Sequence, residues 1–243
     1  MIKNYNFLFC VFLTVSPSLA EDIWVEGTAQ AKKRITISSP VEEVVEEVFV
    51  EEGDTVVKGD VLAKLLSQRQ ELAVKKLEYL ITKARFEFEA VEDLYAKKIE
   101  SRASYLEKKA ELGSYEVDKE LALNDISERL IKSPSDGAIV FRLIDPGESA
   151  EKVKALFELI DSSSLKLVFF LTTNYLDQFK VGDEIVVEFP EVKKFNQGKA
   201  KLKFIDPQVD SRSGLFRVRF EFDNSEAKIK PGVRVRMKVP PAS

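Results

Sequence analysis

Apolar positions along this chain change period three times. They fall on short alternating stretches within residues 40–65, recur at steps of three and four across 66–132, and alternate again after residue 159. In the last region Leu165, Leu167, Phe169 and Leu171 share one face, as do Ile185, Val187 and Phe189. Ala200, Leu202 and Phe204 then alternate with Lys199, Lys201 and Lys203. Phe216, Val218, Phe220 and Phe222 face away from Arg217, Arg219 and Glu221, and Val233, Val235, Met237 and Val239 away from Arg234, Arg236 and Lys238. Five half-buried antiparallel strands follow from this pattern. A short helical turn capped by Asn174 is expected over 175–179. Closing the strands into a small barrel would remove exposed edges, and strand 24–37 is expected to return to that barrel or to its junction with the preceding unit.

Residues 66–132 contain no proline and one glycine, Gly113, which predicts helix. Ala73, Leu77, Leu80, Ala84, Val91 and Leu94 form one stripe, with Glu87 as its polar member. Ala103, Leu106, Ala110, Gly113 and Val117 form a second, which shifts phase into Leu121, Leu123, Ile126 and Leu130. Two stripes joined near 99–101 predict an antiparallel coiled-coil hairpin with arms of about 30 residues, or roughly 45 Å. The alternative is two helices packed on a globular core. Gly113 costs about 1 kcal/mol in a helix, and close approach of the other arm near 84–88 is the expected compensation.

The segments on either side of this helical stretch repeat each other. Pro40 and Pro134, Gly53 and Gly147, Asp54 and Glu148, Lys58 and Lys152, Leu62 and Leu156, and Leu65 and Leu159 are all 94 residues apart. Val45 and Ile139, Val44 and Ala138, Phe49 and Leu143, and Val50 and Ile144 match at the same offset. Each copy reads as Ser-Pro, strand, a turn at glycine and an acid, then a second strand. One copy alone buries too little apolar surface to fold, so the two are expected to close a common core around the helical insertion.

The first 20 residues carry a different signal. Lys3, an apolar run over 7–15 and Ser18-Leu19-Ala20 before Glu21 read as a cleaved export sequence, too short to span a membrane. The only cysteine, Cys10, lies inside it, so the mature chain forms no disulfide. With no histidine, and Met237 as the only methionine after Met1, imidazole and soft-ligand metal sites are excluded. Imidazole acid–base catalysis and a cysteine nucleophile fall with them. Without Lys3, 36 of the chain's 37 basic residues stand against 41 acidic ones. That balance, with no basic patch interleaved with aromatics, argues against nucleic acid. Glu42, Glu43, Glu46, Glu47, Glu51 and Glu52 read as a solvated strand face with no acid–base pair. An enzyme and a bound cofactor are therefore not expected.

These motifs resemble a known family, the periplasmic adaptors or membrane fusion proteins of bacterial efflux pumps and type I secretion systems, the haemolysin-D-like group. Ser39-Pro40, Val44 through Gly53-Asp54, and the run 57–63 with Gly59 resemble its first half-lipoyl motif. Ser133-Pro134-Ser135-Asp136-Gly137 and Pro146-Gly147 resemble the second. Ile205-Asp206-Pro207, Val209-Asp210, Arg217-Val218-Arg219, Asn224 and Lys230-Pro231-Gly232 resemble its β-barrel. The similarity spans the mature chain. Glu43 stands where the first half-motif usually has glycine, which implies a looser turn there. Members that dock an outer-membrane channel carry arginine, leucine and serine near the hairpin tip; here those positions hold Ala90, Leu94 and Ser101, followed by Arg102.

The resemblance implies an elongated, mixed α+β chain. Its parts would be a signal (1–20), a joining strand (21–37), two lipoyl-like halves (38–66 and 132–161) interrupted by the coiled-coil hairpin (67–131), and an antiparallel β-barrel (162–243). The implied role is a non-catalytic periplasmic adaptor that forms a trimeric or hexameric ring. Its partners would be an inner-membrane transporter, RND-type in preference to ABC-type, and an outer-membrane channel. Two alternatives stand beside it: a lipoyl or biotinyl carrier domain, whose modified lysine would fall near Arg69, and a structural periplasmic coiled-coil scaffold.

Overall fold

The computed structural model describes residues 23–226 and 228–239, so the expected export sequence and its cleavage site lie outside the described residues. In chain order the elements are β1 (Ile23–Ser38), β2 (Glu43–Val48), β3 (Thr55–Val56), β4 (Val61–Leu65), α1 (Gln68–Ala96), α2 (Arg102–Ser127), β5 (Leu130–Lys132), β6 (Gly137–Arg142), β7 (Ser149–Ala150), β8 (Ala155–Thr172), β9 (Glu184–Glu188), β10 (Gln197–Ile205), β11 (Leu215–Asp223) and β12 (Arg234–Val239). Contacts divide the chain into two compact units. Ala31–Leu165 and Asp223–Pro231 make one, and the remaining described residues make the other.

In the first unit the repeated segments exchange strands. β2 pairs with β4 of its own copy and with β7 of the other, while β6 pairs with β8 of its own copy and with β3 of the other. The registers obey the same offset: Val44 faces Ser149 and Thr55 faces Ala138. Burial follows it too, with Val45 and Ile139, Leu62 and Leu156, and Leu65 and Leu159 all in one core. Two half-motifs that each lack a hydrophobic partner thus supply it to each other.

Symmetry breaks at two places. Gly59 turns with φ +98°, and its counterpart is Val153, which adopts φ +69° and is 86% exposed. A β-branched residue in the left-handed region costs about 1–2 kcal/mol. Val153→Gly is expected to stabilise the protein by about 1 kcal/mol, after the larger entropy glycine loses on folding. Urea unfolding should show a higher midpoint at unchanged slope. The second break is Glu43, which lies in β2 opposite Ala150 and not in a loosened turn. Its counterpart, Gly137, sits where a Cβ would come within 2.4 Å of the Ile160 carbonyl oxygen. In the first copy Leu66, the counterpart of Ile160, still donates to the Val44 carbonyl at 2.9 Å, and the chain then turns off into α1 at Gln68 where β8 runs on to Thr172.

The helices run antiparallel, as the ion pairs between them establish: Glu78 with Lys119 (2.9 Å), Arg85 with Glu116 (2.7 Å) and Glu87 with Lys108 (2.7 Å). The second helix ends at Ser127, and Leu130–Lys132 forms a strand against β4, so the helical reading through residue 132 runs too far. The expected stripe on α2 is also corrected. Tyr105, Lys108, Leu112, Tyr115, Lys119, Ala122 and Ile126 are the half-buried positions at steps of three and four, whereas Ala103, Leu106, Ala110 and Val117 are exposed. Larger side chains bury more apolar area than the alanine-rich stripe, and the lysines lay their stems along the seam to reach Glu87 and Glu78. Gly113 therefore gains no close approach, for a Cβ there would meet nothing within 4 Å. Among the described residues no helix is long and apolar enough to cross a membrane.

The second unit is a closed barrel with strand order β1-β12-β9-β10-β11-β8, sealed by pairing of β8 with β1. Phe169, Phe189, Phe216 and Phe220 are fully buried within it, and Phe169 meets Phe220 edge-to-face at 5.8 Å. The expected helical turn is shorter and earlier, a 3-10 turn over Thr173–Tyr175 that follows Thr172 and lacks a side-chain cap.

Candidate functional site

Three clusters gather the residues singled out from the sequence: the turns of the half-motifs, the connection between α1 and α2, and the turns of the barrel. The first are built alike. Pro40 and Pro134 are exposed and each follows a buried serine. Ser39 Oγ donates to the Val41 carbonyl and Ser133 Oγ to that of Ser135. Gly53 (φ +97°) donates to the Ile139 carbonyl at 2.9 Å, and Gly147 (φ +90°) to that of Val45 at 2.8 Å. Asp54 accepts from the Glu51 amide at 2.8 Å and Glu148 from the Asp145 amide at 3.0 Å. Asp60 repeats the device on the Val57 amide, while the neighbouring Gly59 donates to the Ser133 carbonyl at 2.8 Å. Every one of these acids is used to fix a turn. This chemistry is that of a scaffold.

At the far end of the helix pair, α1 stops in a left-handed turn at Lys98 (φ +62°). Lys98 donates to the Tyr95 carbonyl and Ile99 to that of Leu94, both at 2.9 Å, a Schellman arrangement made without glycine. Leu94 is half-buried, so its carbonyl closes the turn while its side chain lies partly in the seam. Ser101 caps α2, accepting from the Ser104 amide at 3.0 Å. Tyr95 stacks on Tyr105 at 4.9 Å, and Phe88 lies 5.6 Å from Tyr105. Sequence reading missed this aromatic lock; its signal was Phe88 and Tyr95 seven residues apart, opposite Tyr105 across the turn. What remains outside is cationic with one apolar residue: Lys97, Lys98 and Arg102 are exposed around Ile99. Ala90, also exposed, lies two turns back.

The barrel turns are likewise structural. Asp210 Oδ1 accepts from the Ser213 amide (2.8 Å), the Ser213 hydroxyl (3.0 Å) and the Arg212 amide (3.0 Å), and these bonds hold its carboxyl below the usual range. Pro231 leads into Gly232, whose amide donates to the Ala29 carbonyl at 2.7 Å. Asn224, in the unit of the half-motifs, is buried, donates to the carbonyls of Ser162 and Ile229, and accepts from the Ile229 amide.

This architecture has close counterparts. Residues 33–161 match the model of the CzcB-like barrel-sandwich hybrid domain, more than half of the chain, and residues 171–243 match that of the CusB-like β-barrel domain. The chain belongs to the CzcB-like family of membrane fusion, or adaptor, proteins. An uncharacterized protein of Haemophilus influenzae is 23% identical over 214 residues, covering 88% of this chain and 56% of that protein. The multidrug resistance protein MdtA of Escherichia coli O45:K1 is 25% identical over 244 residues, covering 88% of this chain and 57% of MdtA. The chain thus spans somewhat over half the length of these relatives. A crystal structure of a MacA–MexA chimera containing the Pseudomonas aeruginosa MexA α-hairpin domain superposes with a TM-score of 0.77 at 16% identity, covering 91% of this chain and 84% of the chimera.

Proposed function

We propose that this chain is a periplasmic adaptor subunit of a tripartite efflux system, a non-catalytic bridge between an inner-membrane transporter and an outer-membrane channel. The observation that carries this reading is the closure of two half-motifs into one core around an inserted helix pair. Such an insertion extends a reach without disturbing the fold that carries it. The helix pair acts as an antiparallel coiled coil whose far turn meets the channel. The half-motif unit and the barrel assemble side by side with other copies in a trimeric or hexameric ring. Modules are assigned as export signal 1–20, joining strand 21–37, half-motifs 38–67 and 128–161, helical insertion 68–127 and barrel 162–243. An RND-type transporter is favoured over an ABC-type one by family membership, and the likeness to MdtA, a multidrug resistance protein, supports drug-like cargo.

The carrier alternative is disfavoured by Arg69, which lies in the first turn of a 29-residue helix where a carrier needs a lysine on a tight hairpin. Intact mass of the mature protein should equal the polypeptide alone; an added lipoate or biotin would overturn the adaptor reading. In-cell cross-linking followed by mass spectrometry should recover a transporter, and recovery of none would leave the scaffold alternative.

Leu94, Ser101 and Arg102 are proposed to contribute to the channel-docking surface. Ser101 separates docking from structure. Ser101→Ala removes a cap and is expected to cost about 1 kcal/mol with a small loss of efflux. Ser101→Asp preserves the cap and favours the helix dipole, so thermal stability stays at the parent level, yet the added charge at the turn impairs efflux. Resistance at the parent level in cells carrying Ser101→Asp at equal abundance would leave capping as its whole role.

A further inference from the structure

A cavity of about 340 Å³ opens on the barrel unit, between the end of β8 and the turn that leads from β10 into β11. Phe170 and Leu215 form its apolar side, and Asp206, Arg217, Asp210 and Ser213 its polar side. Two of these groups lack a partner inside the protein. Phe170 is 56% exposed between the buried Phe169 and Leu171, and whereas Phe169 meets Phe220 edge-to-face, the Phe170 ring meets no other ring or cation among the described residues.

Asp210 is the second. Its three bonds all end on Oδ1 and all come from neutral donors, the Ser213 amide, the Ser213 hydroxyl and the Arg212 amide. They keep the carboxyl ionised, yet no cation pairs with it among the described residues and Oδ2 accepts nothing. Asp206 differs, for Arg217 neutralises it at 3.1 Å and is itself held over the Phe204 ring at 5.5 Å. The cavity therefore carries one uncompensated negative charge beside one bare aromatic face.

Both features select the same ligand. An ammonium group is attracted by the face of an aromatic ring as well as by a carboxylate. An anion would meet Asp210, and a neutral apolar molecule would cover that carboxylate without pairing it. One free carboxylate oxygen supplies too few oxygen ligands for a metal ion, and the described residues hold no cluster of metal-binding side chains. An apolar wall with a few fixed polar groups, in a volume of some hundreds of Å³, is the usual form of a small-molecule site.

We propose that this cavity binds a small organic monocation, with its ammonium group between Asp210 Oδ2 and the Phe170 ring and its hydrocarbon body along Leu215. The site uses residues that bridging does not need, so the inference goes beyond the adaptor reading and stands without it. Joined to that reading, it makes the adaptor itself a point of contact for cationic cargo.

Three matched probes test the site on the full-length chain. 4-Phenylbutylamine, 4-phenylbutanol and 4-phenylbutyrate share one hydrocarbon body and differ in charge at neutral pH. Titration followed by ligand-observed NMR should place the amine about tenfold tighter than the alcohol, with no binding of the carboxylate. Asp210→Asn keeps an oxygen that can accept the turn's amides and should bring the amine down to the level of the alcohol. Phe170→Leu keeps an apolar side chain at an exposed position, so melting should be unchanged while the amine weakens about fivefold and the alcohol less. Because that second variant leaves the Asp210 turn intact, it decides the matter even where Asp210→Asn loosens the turn. Equal affinities of amine and alcohol for the parent protein, or an amine affinity unchanged by Phe170→Leu, would overturn the site. Neither outcome touches the adaptor reading, which cross-linking to a transporter tests separately.

Discussion

Excising residues 68–127 and joining Ser67 to Glu128 through a short Gly/Ser linker is expected to yield a folded protein that has lost the proposed efflux function. The ends are already neighbours, because the Leu65 amide donates to the Arg129 carbonyl at 2.8 Å and β4 pairs with β5. No buried residue of the half-motif core comes from either helix. Closing a short loop in place of the insertion changes stability by only about 1 kcal/mol in either direction. Circular dichroism should lose its helical component and keep its strand component, with a cooperative melt close to that of the parent. Export and abundance should be unchanged while resistance falls to that of cells lacking the gene. Retained efflux would remove the helix pair from the mechanism; an unfolded product would remove the modular account of the fold.

Gly137→Ala is expected to destabilise the protein by about 3 kcal/mol, at the upper end of overpacking costs. The added methyl would lie 2.4 Å from the Ile160 carbonyl oxygen and 2.8 Å from Leu159 Cδ2. Backbone cannot yield there without disrupting the β6–β8 register, in which Ala138 faces Ile160. The symmetry-related change, Glu43→Ala, removes a 4.0 Å ion pair with Arg129 and should cost less than about 1 kcal/mol. Urea unfolding of the two variants side by side tests the asymmetry. Equal losses would show that the exit of the chain into α1 does not relieve the first copy.

The two half-motifs were legible because their evidence is local and doubled. Pro, Gly and acid fall at matched positions 94 residues apart, and each has a conformational reason that acts within a few residues, such as the amide-to-acid bonds at Asp54 and Glu148. Barrel strands were legible for a similar reason. Strict alternation in β11 and β12 places Phe216, Val218, Phe220 and Phe222 on one face whatever the strands' partners are.

Tertiary structure decided the phase of α2, the role of Gly113, the freedom of Glu43 and the strand at Leu130–Lys132. In α2 two stripes satisfy the same period, and periodicity cannot rank them. The choice went to the stripe of Tyr105 and Lys108 because α1 offers Phe88, Tyr95 and Glu87 at matching heights, information held about 10 to 20 residues away on another helix. Glu43 and Gly137 occupy the same place in the repeat, yet only beside Gly137 does the partner strand run on, as β8 to Thr172. Their difference lies in where the chain goes next. Local chemistry in this sequence sets which turns form and which residues alternate; which of two apolar faces is buried depends on the surface each meets, and only the folded chain brings those surfaces together.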